Sequence, residues 1–363
     1  MGFDAMSDIK AVILCAGEGT RLRPLTFSRP KHLLPVAGKP LVGRALDTIK
    51  EAGIQRVGLV VGHHPEEVQR YVGGGAAWEI EAEYITQQHP LGLAHAVNCA
   101  RDFVGDSPFI VFLGDNLLEV GIKAFVEDFT RRQPDAALLL REVDDPRRYG
   151  VAELDSDGAV KRLVEKPAQP RSNLAIVGVY AFHASIFEAI AGIQPSQRGE
   201  YEITDAIQWL IDQGRRVSSA ILEGFWEDAG EPVALLRANR LYLDRLEPEY
   251  SGSLDTPSQV LGALHLGQGS RIHHSHITGP CFIGENCVVE NATIGPYVSL
   301  GDGCQVTNSA IEDAVIQAGS RIRNLPGGLK RSVLGEQVVV AGDGRGNSPL
   351  SLILGDMAQI RLM

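Results

Sequence analysis

The 363-residue chain is long enough for two domains, and its 44% hydrophobic and 22% charged content is that of an ordinary globular protein. A formal net charge of −11 argues against a broad surface for nucleic acid or an anionic membrane, so local clusters of basic residues point to small anionic ligands. Five cysteines without a Cys-x-x-Cys spacing fit a reducing, cytoplasmic compartment, no apolar run is long enough to span a bilayer, and residues 1–9 lack the basic-then-apolar order of a secretory signal.

Residues 11–15, AVILC, read as a strand buried on both faces of a parallel sheet. Gly17 and Gly19 then punctuate a turn in which backbone N–H groups can approach an anion, and Thr20, Arg21, Arg23 and Lys31 follow. A dinucleotide fingerprint would need a third glycine where Leu22 stands, and the Gly-Lys-Ser/Thr of a P-loop is absent. Helical spacing of Leu41, Ala45, Leu46 and Ile49 predicts a helix over 40–52 that stops at Gly53. Apolar runs at 57–61, 82–85, 109–113 and 136–140 alternate with helical patterns after Pro65, Leu93 and Gly121, which predicts an α/β fold with a parallel sheet.

Ligands of such sheets gather at the carboxyl ends of the strands. The 17–23 loop is one such end, and Gly114, Asp115 and Asn116 form another. A turn-capping Asp is the structural alternative there. Farther on lie TQQHPLGLAHA at 86–96, with Gln87 and Gly92, then Arg147-Arg148-Tyr149-Gly150-Val151 and Glu165-Lys166-Pro167. The structural alternative for Glu165 and Lys166 is a surface ion pair. A β-rich run at 172–180 precedes Arg198 and RGEYEITD, in which Glu202 reads as a local helix-cap contact. Phe225-Trp226-Glu227-Asp228-Ala229-Gly230 and a helix over 232–246 follow.

From about Ser251 the pattern changes. Leu266, Ile283 and Leu300 form one column seventeen residues apart, Ile272, Val289 and Val306 a second, and Ile277, Ile294 and Ile311 a third, which predicts a three-sided parallel β-helix. The register breaks near 324–328 and resumes at Leu334. Cys287 and Cys304 share the same spacing, so adjacent coils bring them close enough for a disulfide, although cytoplasmic redox favours stacked thiols. His273, His274 and His276 raise a metal site, against which alternate residues of a coil face opposite ways.

Gly17, Gly19, Thr20, Arg21, Leu22, Pro24, Leu25 and Thr26, followed by Pro30, Lys31, Leu33, Leu34, Pro35 and Val36, closely resemble the signature of the sugar-1-phosphate nucleotidylyltransferases. Ala16 and His32 depart from that pattern without changing a charged position. The resemblance covers almost the whole chain and is nearest to the long, thymidylyl-transferring members. It implies a Rossmann-like, mostly parallel catalytic domain over 1–250 and a left-handed parallel β-helix of hexapeptide repeats over 251–363.

It further implies transfer from dTTP to glucose 1-phosphate with Mg2+ on Asp115 and Asp228, with a UTP-dependent uridylyltransferase as the alternative. Arg21, Lys31 and Lys166 would be catalytic; Gly17, Gly19, Thr20, Gln87 and Gly92 would bind the nucleotide; Tyr149, Gly150, Glu165, Lys166 and Arg198 would bind the sugar phosphate. Small-molecule substrates, a homo-oligomer and neither nucleic acid nor membrane are the expected partners. A regulatory subunit without activity is disfavoured by the retained charged set, and an acyltransferase by the lack of an evident catalytic His.

Overall fold

The computed structural model describes residues 9–62, 65–156, 158–346 and 348–362, so most of the amino-terminal stretch read for a signal lies outside the described residues. The chain divides into two compact units. One holds residues up to Glu18 together with Val42–Trp226; the other holds Gly19–Leu41 together with the residues from Glu227 onward.

The first unit is built on a nine-stranded sheet. Its central strands Phe109–Leu113, Lys10–Cys15, Arg56–Val61 and Glu81–Thr86 run parallel in that order. All six residues of Lys10–Cys15 are buried, as a strand covered on both faces requires. Leu41–Glu51 and Leu93–Cys99 are helices on the expected spacing, with Leu41, Ala45, Leu46 and Ile49 all buried. Beyond the parallel core, Leu174–Phe182 runs antiparallel to both Phe109–Leu113 and Ala136–Glu142. The direction changes because Gly150–Leu154 and Val160–Glu165 form an antiparallel hairpin in the intervening chain, where a parallel return would need a helical crossover. Phe109 stacks on Phe187 and tilts against Phe182, which ties the central strand to the antiparallel one.

The second unit contains a parallel β-helix whose three columns stack as the spacing predicts. Leu266 pairs with Ile283 and Ile283 with Leu300; Ile272 with Val289 and Val289 with Val306; Ile277 with Ile294 and Ile294 with Ile311. All nine side chains are essentially inaccessible to solvent. The register shifts opposite Ser309–Ile311, where Ser309 pairs with Leu325 but Ile311 with Leu329, and pairing then continues to Ile316 with Leu334. Cys287 and Cys304 are buried free thiols, 3.2 Å from the carbonyl oxygens of Gly301 and Gln317 respectively. His273, His274 and His276 are all exposed, because a corner with His274 at φ 47° separates strands Arg271–His273 and His276–Thr278. The helix Pro232–Leu243 is held to this unit by Arg240, whose Nε donates to Asp313 Oδ1 at 2.7 Å.

The central coil sets a measurable expectation. Ile294 is fully buried between Ile277 and Ile311, so Ile294→Ala should lower the unfolding free energy by about 2–5 kcal/mol. Urea unfolding checks this, and an unchanged midpoint would mean that the columns are not the stabilising core.

Candidate active site

In the second unit, Thr20–Leu22 and Lys31–Leu33 are short 3-10 turns anchored by the buried Leu22, Leu25 and Leu34. Gly19 opens the first of them at φ 65°, where a Cβ would stand 3.0 Å from Lys31 Cβ and 3.1 Å from Thr26 Cγ2. Thr26 Oγ1 donates to Gly19 O at 2.8 Å and closes the turn. Glycine is therefore required by close approach as well as by dihedral. Thr20 and Arg21 are exposed, and Arg21 Nη1 lies 3.7 Å from Glu231 Oε1. A Cβ on Gly230 would meet Arg21 Nη2 at 2.9 Å and Asp228 Oδ1 at 3.1 Å, so the bare glycine lets the guanidinium and the carboxylate share one space. Arg21 and Asp228, distant in sequence, are thus brought together.

In the first unit, Gly17 is exposed just beyond the Lys10–Cys15 strand. Asp115 is buried just past the end of the Phe109–Leu113 strand and accepts from Asn116 Nδ2 at 3.1 Å. Asn116 Oδ1 in turn accepts from Trp226 Nε1 at 2.5 Å, and the Trp226 ring lies 4.8 Å from that of Tyr149. Tyr149 O accepts from Lys166 N at 3.0 Å. Lys166 has φ 42°, a left-handed conformation unusual for a residue with a side chain, which turns the chain at the end of the Val160–Glu165 strand. Glu165 then meets Lys166 Nζ at 3.5 Å, Arg198 Nη1 at 3.4 Å and Thr204 Oγ1 at 3.3 Å. Gly150 makes room for this cluster, since a Cβ there would stand 2.8 Å from Thr204 Cγ2 and 3.2 Å from Glu165 Oε2.

The Glu165 and Arg198 side chains border an open cleft of about 860 Å3 that also includes Lys161, Arg171 and Asp205. Arg198 is held there by three carboxylates, Glu165, Glu200 and Glu202. Glu202 precedes the Ile203–Asp212 helix but does not cap it; it accepts from Ser196 Oγ at 2.9 Å. Burial pushes the Glu202 carboxyl above its ordinary value, as it does that of Asp205.

Gln87 is buried, with Nε2 3.5 Å from Gly92 O and 2.9 Å from His95 Nδ1. Gly92 has φ 113°, and a Cβ there would collide with the Tyr201 backbone at 2.5 Å. Tyr201 N donates to Leu91 O at 2.7 Å, while Ala94 N donates to Tyr201 O at 3.0 Å, so the loop is laced to the segment before the Ile203–Asp212 helix. Asn116, Trp226 and His95 stood inside the quoted stretches without a role assigned to them, and Gly178 was not singled out. Gly178 interrupts an apolar strand at φ 77°, and a Cβ would press Leu113 at 2.7 Å and Asn116 Cγ at 3.2 Å beside Asp115. A glycine in a buried strand was the available signal.

Asp115 in the first unit and Asp228 in the second each carry a carboxylate, the hard oxygen donor that divalent cations take. Among the described residues no three potential metal ligands gather.

His95 supplies a pH expectation. Burial first, and the nearby His89 second, lower its pKa below the ordinary 6.5, which keeps the ring neutral and Nδ1 able to accept from Gln87. A depressed folded pKa contributes stability above the unfolded value that is lost as pH falls through the folded one. Wild type should therefore lose stability on the acid side of 6.5 more steeply than His95→Gln, as thermal unfolding across that range would read.

A nucleotidyl transferase profile matches residues 10–245. The chain is 42% identical to a glucose-1-phosphate thymidylyltransferase of Streptomyces griseus, over 98% of this chain and 99% of that protein. Among solved structures, a Bacillus anthracis protein assigned as a glucose-1-phosphate thymidylyltransferase, bound to sucrose, superposes with a TM-score of 0.61 at 37% identity, covering 64% of this chain and 94% of the other. A UDP-glucose pyrophosphorylase bound to UDP-glucose gives 0.60 at 27% identity, over 65% and 98%. Enzymes of this kind generally use a divalent metal, and no helix among the described residues is long and apolar enough to cross a membrane. Profile, near-full-length identity and fold agree: the chain belongs to the nucleotidyl transferase family.

Proposed function

We propose that this chain joins dTTP and glucose 1-phosphate to give dTDP-glucose and pyrophosphate. The observation that carries the reading is the likeness to the Streptomyces thymidylyltransferase from end to end, β-helix included, rather than over a shared catalytic core alone. The division expected from sequence, chemistry in 1–250 and a β-helix scaffold in 251–363, is part of this proposal.

The nucleophile needs no general base. A sugar phosphate has a second pKa of about 6, so its oxygen is an anion at neutral pH. That oxygen forms a bond to the α-phosphorus of the triphosphate as the bond from α-phosphorus to the β-bridging oxygen breaks, and the electron pair leaves with pyrophosphate. Positioning and charge neutralisation are what the protein must supply. Arg21 neutralises the departing pyrophosphate and Lys31 supports the reacting phosphates, with Gly17, Gly19 and Thr20 offering backbone and hydroxyl donors to the triphosphate. Lys166 and Arg198 hold the sugar phosphate, Arg198 exchanging one of its three carboxylate partners for the incoming anion. Glu165 and Tyr149 orient the sugar, and Gly150 keeps the space beside Glu165 clear. With its Nε2 engaged by Gly92 and His95, Gln87 offers Oε1 to the N3–H of thymine, beside Gly92. Mg2+ held by Asp115 and Asp228 would offset charge on the α-phosphate and fix its orientation.

Uridylyl transfer is the second reading, favoured by the fold likeness to a UDP-glucose pyrophosphorylase, and uracil presents the same N3–H to Gln87. Five free thiols support a cytoplasmic setting, and the faces of the solenoid support a homo-oligomer.

Pyrophosphate release across nucleoside triphosphates and sugar 1-phosphates tests the proposal. We expect dTTP with glucose 1-phosphate to be fastest and UTP modestly slower, by about tenfold, since the two nucleotides differ by one methyl and a 2′-hydroxyl and one methyl in an apolar pocket is worth roughly 1–3 kcal/mol. Preference for UTP with N-acetylglucosamine 1-phosphate would transfer the assignment to the second reading. In the same assay Asp228→Asn, with Mg2+ supplied, should lose most turnover while staying folded, and near-normal turnover would remove Asp228 from the site.

A further inference from the structure

Arg29 lies two residues before Lys31, yet its side chain is only 14% exposed and is spent entirely on the β-helix. Nη1 donates to Glu336 Oε1 at 2.6 Å and to Gln317 Oε1 at 3.0 Å, while Nε and Nη2 donate to Asp356 Oδ2 at 3.2 and 2.9 Å. Ser28 Oγ donates to the same Asp356 oxygen at 2.6 Å. Asp356 Oδ1 accepts from Glu336 N at 2.8 Å, so the receiving carboxylate is itself fastened to the next coil. Burial pulls the Arg29 pKa down, but its bonds to and charge pairing with Glu336 and Asp356 raise it on balance, so the guanidinium stays charged where it is enclosed.

Two close approaches accompany the clamp. A Cβ on Gly355 would stand 2.7 Å from Pro24 O, and one on Gly38 would stand 2.2 Å from Phe282 Cζ. The loop thus touches the β-helix on both sides of Arg29. Between Gly19 and Leu34 its own backbone bonds are those of short 3-10 turns, such as Leu22 N to Gly19 O and Leu34 N to Lys31 O, over the buried Leu22, Leu25 and Leu34. Long side chains such as Arg21 and Lys31 can be aimed only if the backbone beneath them is fixed from outside.

We propose that Arg29 is a positioning residue for nucleotidyl transfer: gripped by Glu336 and Asp356, it fixes the loop that presents Arg21 and Lys31 to the triphosphate. The β-helix is then part of the catalytic apparatus and not only a stabilising or assembling domain. This inference rests on the reaction proposed above, and its test separates the two.

The full-length chain is compared with Arg29→Ala, Arg29→Lys, Asp356→Asn and the Ala/Asn double variant. Glu312→Gln is the control, since it breaks an exposed pair with Lys330 on the same β-helix. Arg29→Ala should lower kcat by about tenfold to a hundredfold, the scale of a small misplacement of catalytic groups, with little change in KM for the sugar phosphate. Arg29→Lys should recover part of the loss, and the double variant should be no worse than either single one because both break one cluster. Hydrogen exchange should show amides in 19–34 losing protection in Arg29→Ala while those of Lys10–Cys15 keep it.

A folded Arg29→Ala or Asp356→Asn variant with wild-type kcat would overturn the positioning role and leave the reaction intact. An equal loss in Glu312→Gln, or deprotection spread evenly over the chain, would overturn it as well. Should the wild type transfer no nucleotide, the reaction fails, and a loop still protected in Arg29→Ala would reject the clamp too.

Discussion

Cations that must lie close together to meet a triphosphate repel one another, so the backbone that carries them needs an anchor stronger than its own turns. In the Gly19–Leu41 segment the buried Leu22, Leu25 and Leu34 are joined by an electrostatic anchor in which Arg29 and Asp356 are largely buried. Arg29 is enclosed with Glu336 and Asp356, 307 and 327 residues away in sequence. Removing either side of such a cluster would leave a charge without compensation in a poorly solvated place. The signature loop therefore belongs, by packing, with the β-helix, although it follows directly on the central strand of the sheet.

The sheet unit uses a different device to place its own groups. A relay of contacts runs from Asp115 through Asn116 to Trp226, across the Trp226 ring to Tyr149, and through backbone and carboxylate to Lys166, Glu165 and Arg198. Missing side chains matter as much as present ones. Gly150, Gly178 and Gly92 each stand where a Cβ would push into Thr204, Leu113 or the Tyr201 backbone. The left-handed Lys166 is the strained member, and it is the residue to which the proposed reaction assigns the sugar phosphate.

What was legible in the sequence follows from the range of the interactions. The three columns of the β-helix could be read because a coil contacts its neighbour at a fixed separation, and the observed pairs Ile277–Ile294 and Ile294–Ile311 fall on it. The buried strand at Lys10–Cys15 was likewise written in its own residues. The antiparallel course of Leu174–Phe182 was not, since an apolar run says nothing about direction. Nor was the destination of Arg29, a position that the sequence reading did not single out. Its partners differ in spacing and lie in the last coils, where the regular period has already shifted. Gln87 and Gly92 were legible as a pair, but their third member, His95, looked like an ordinary helix residue.

In the proposed reaction a sugar phosphate oxygen displaces pyrophosphate from the α-phosphorus. Isotope position tests it most directly: glucose 1-phosphate carrying oxygen-18 in its phosphate is incubated with unlabelled dTTP, Mg2+ and the full-length chain, and the products are weighed by mass spectrometry. Displacement at the α-phosphorus leaves all of the label in the sugar nucleotide and none in the pyrophosphate. Label in the pyrophosphate, or release of labelled orthophosphate in place of a sugar nucleotide, would contradict it.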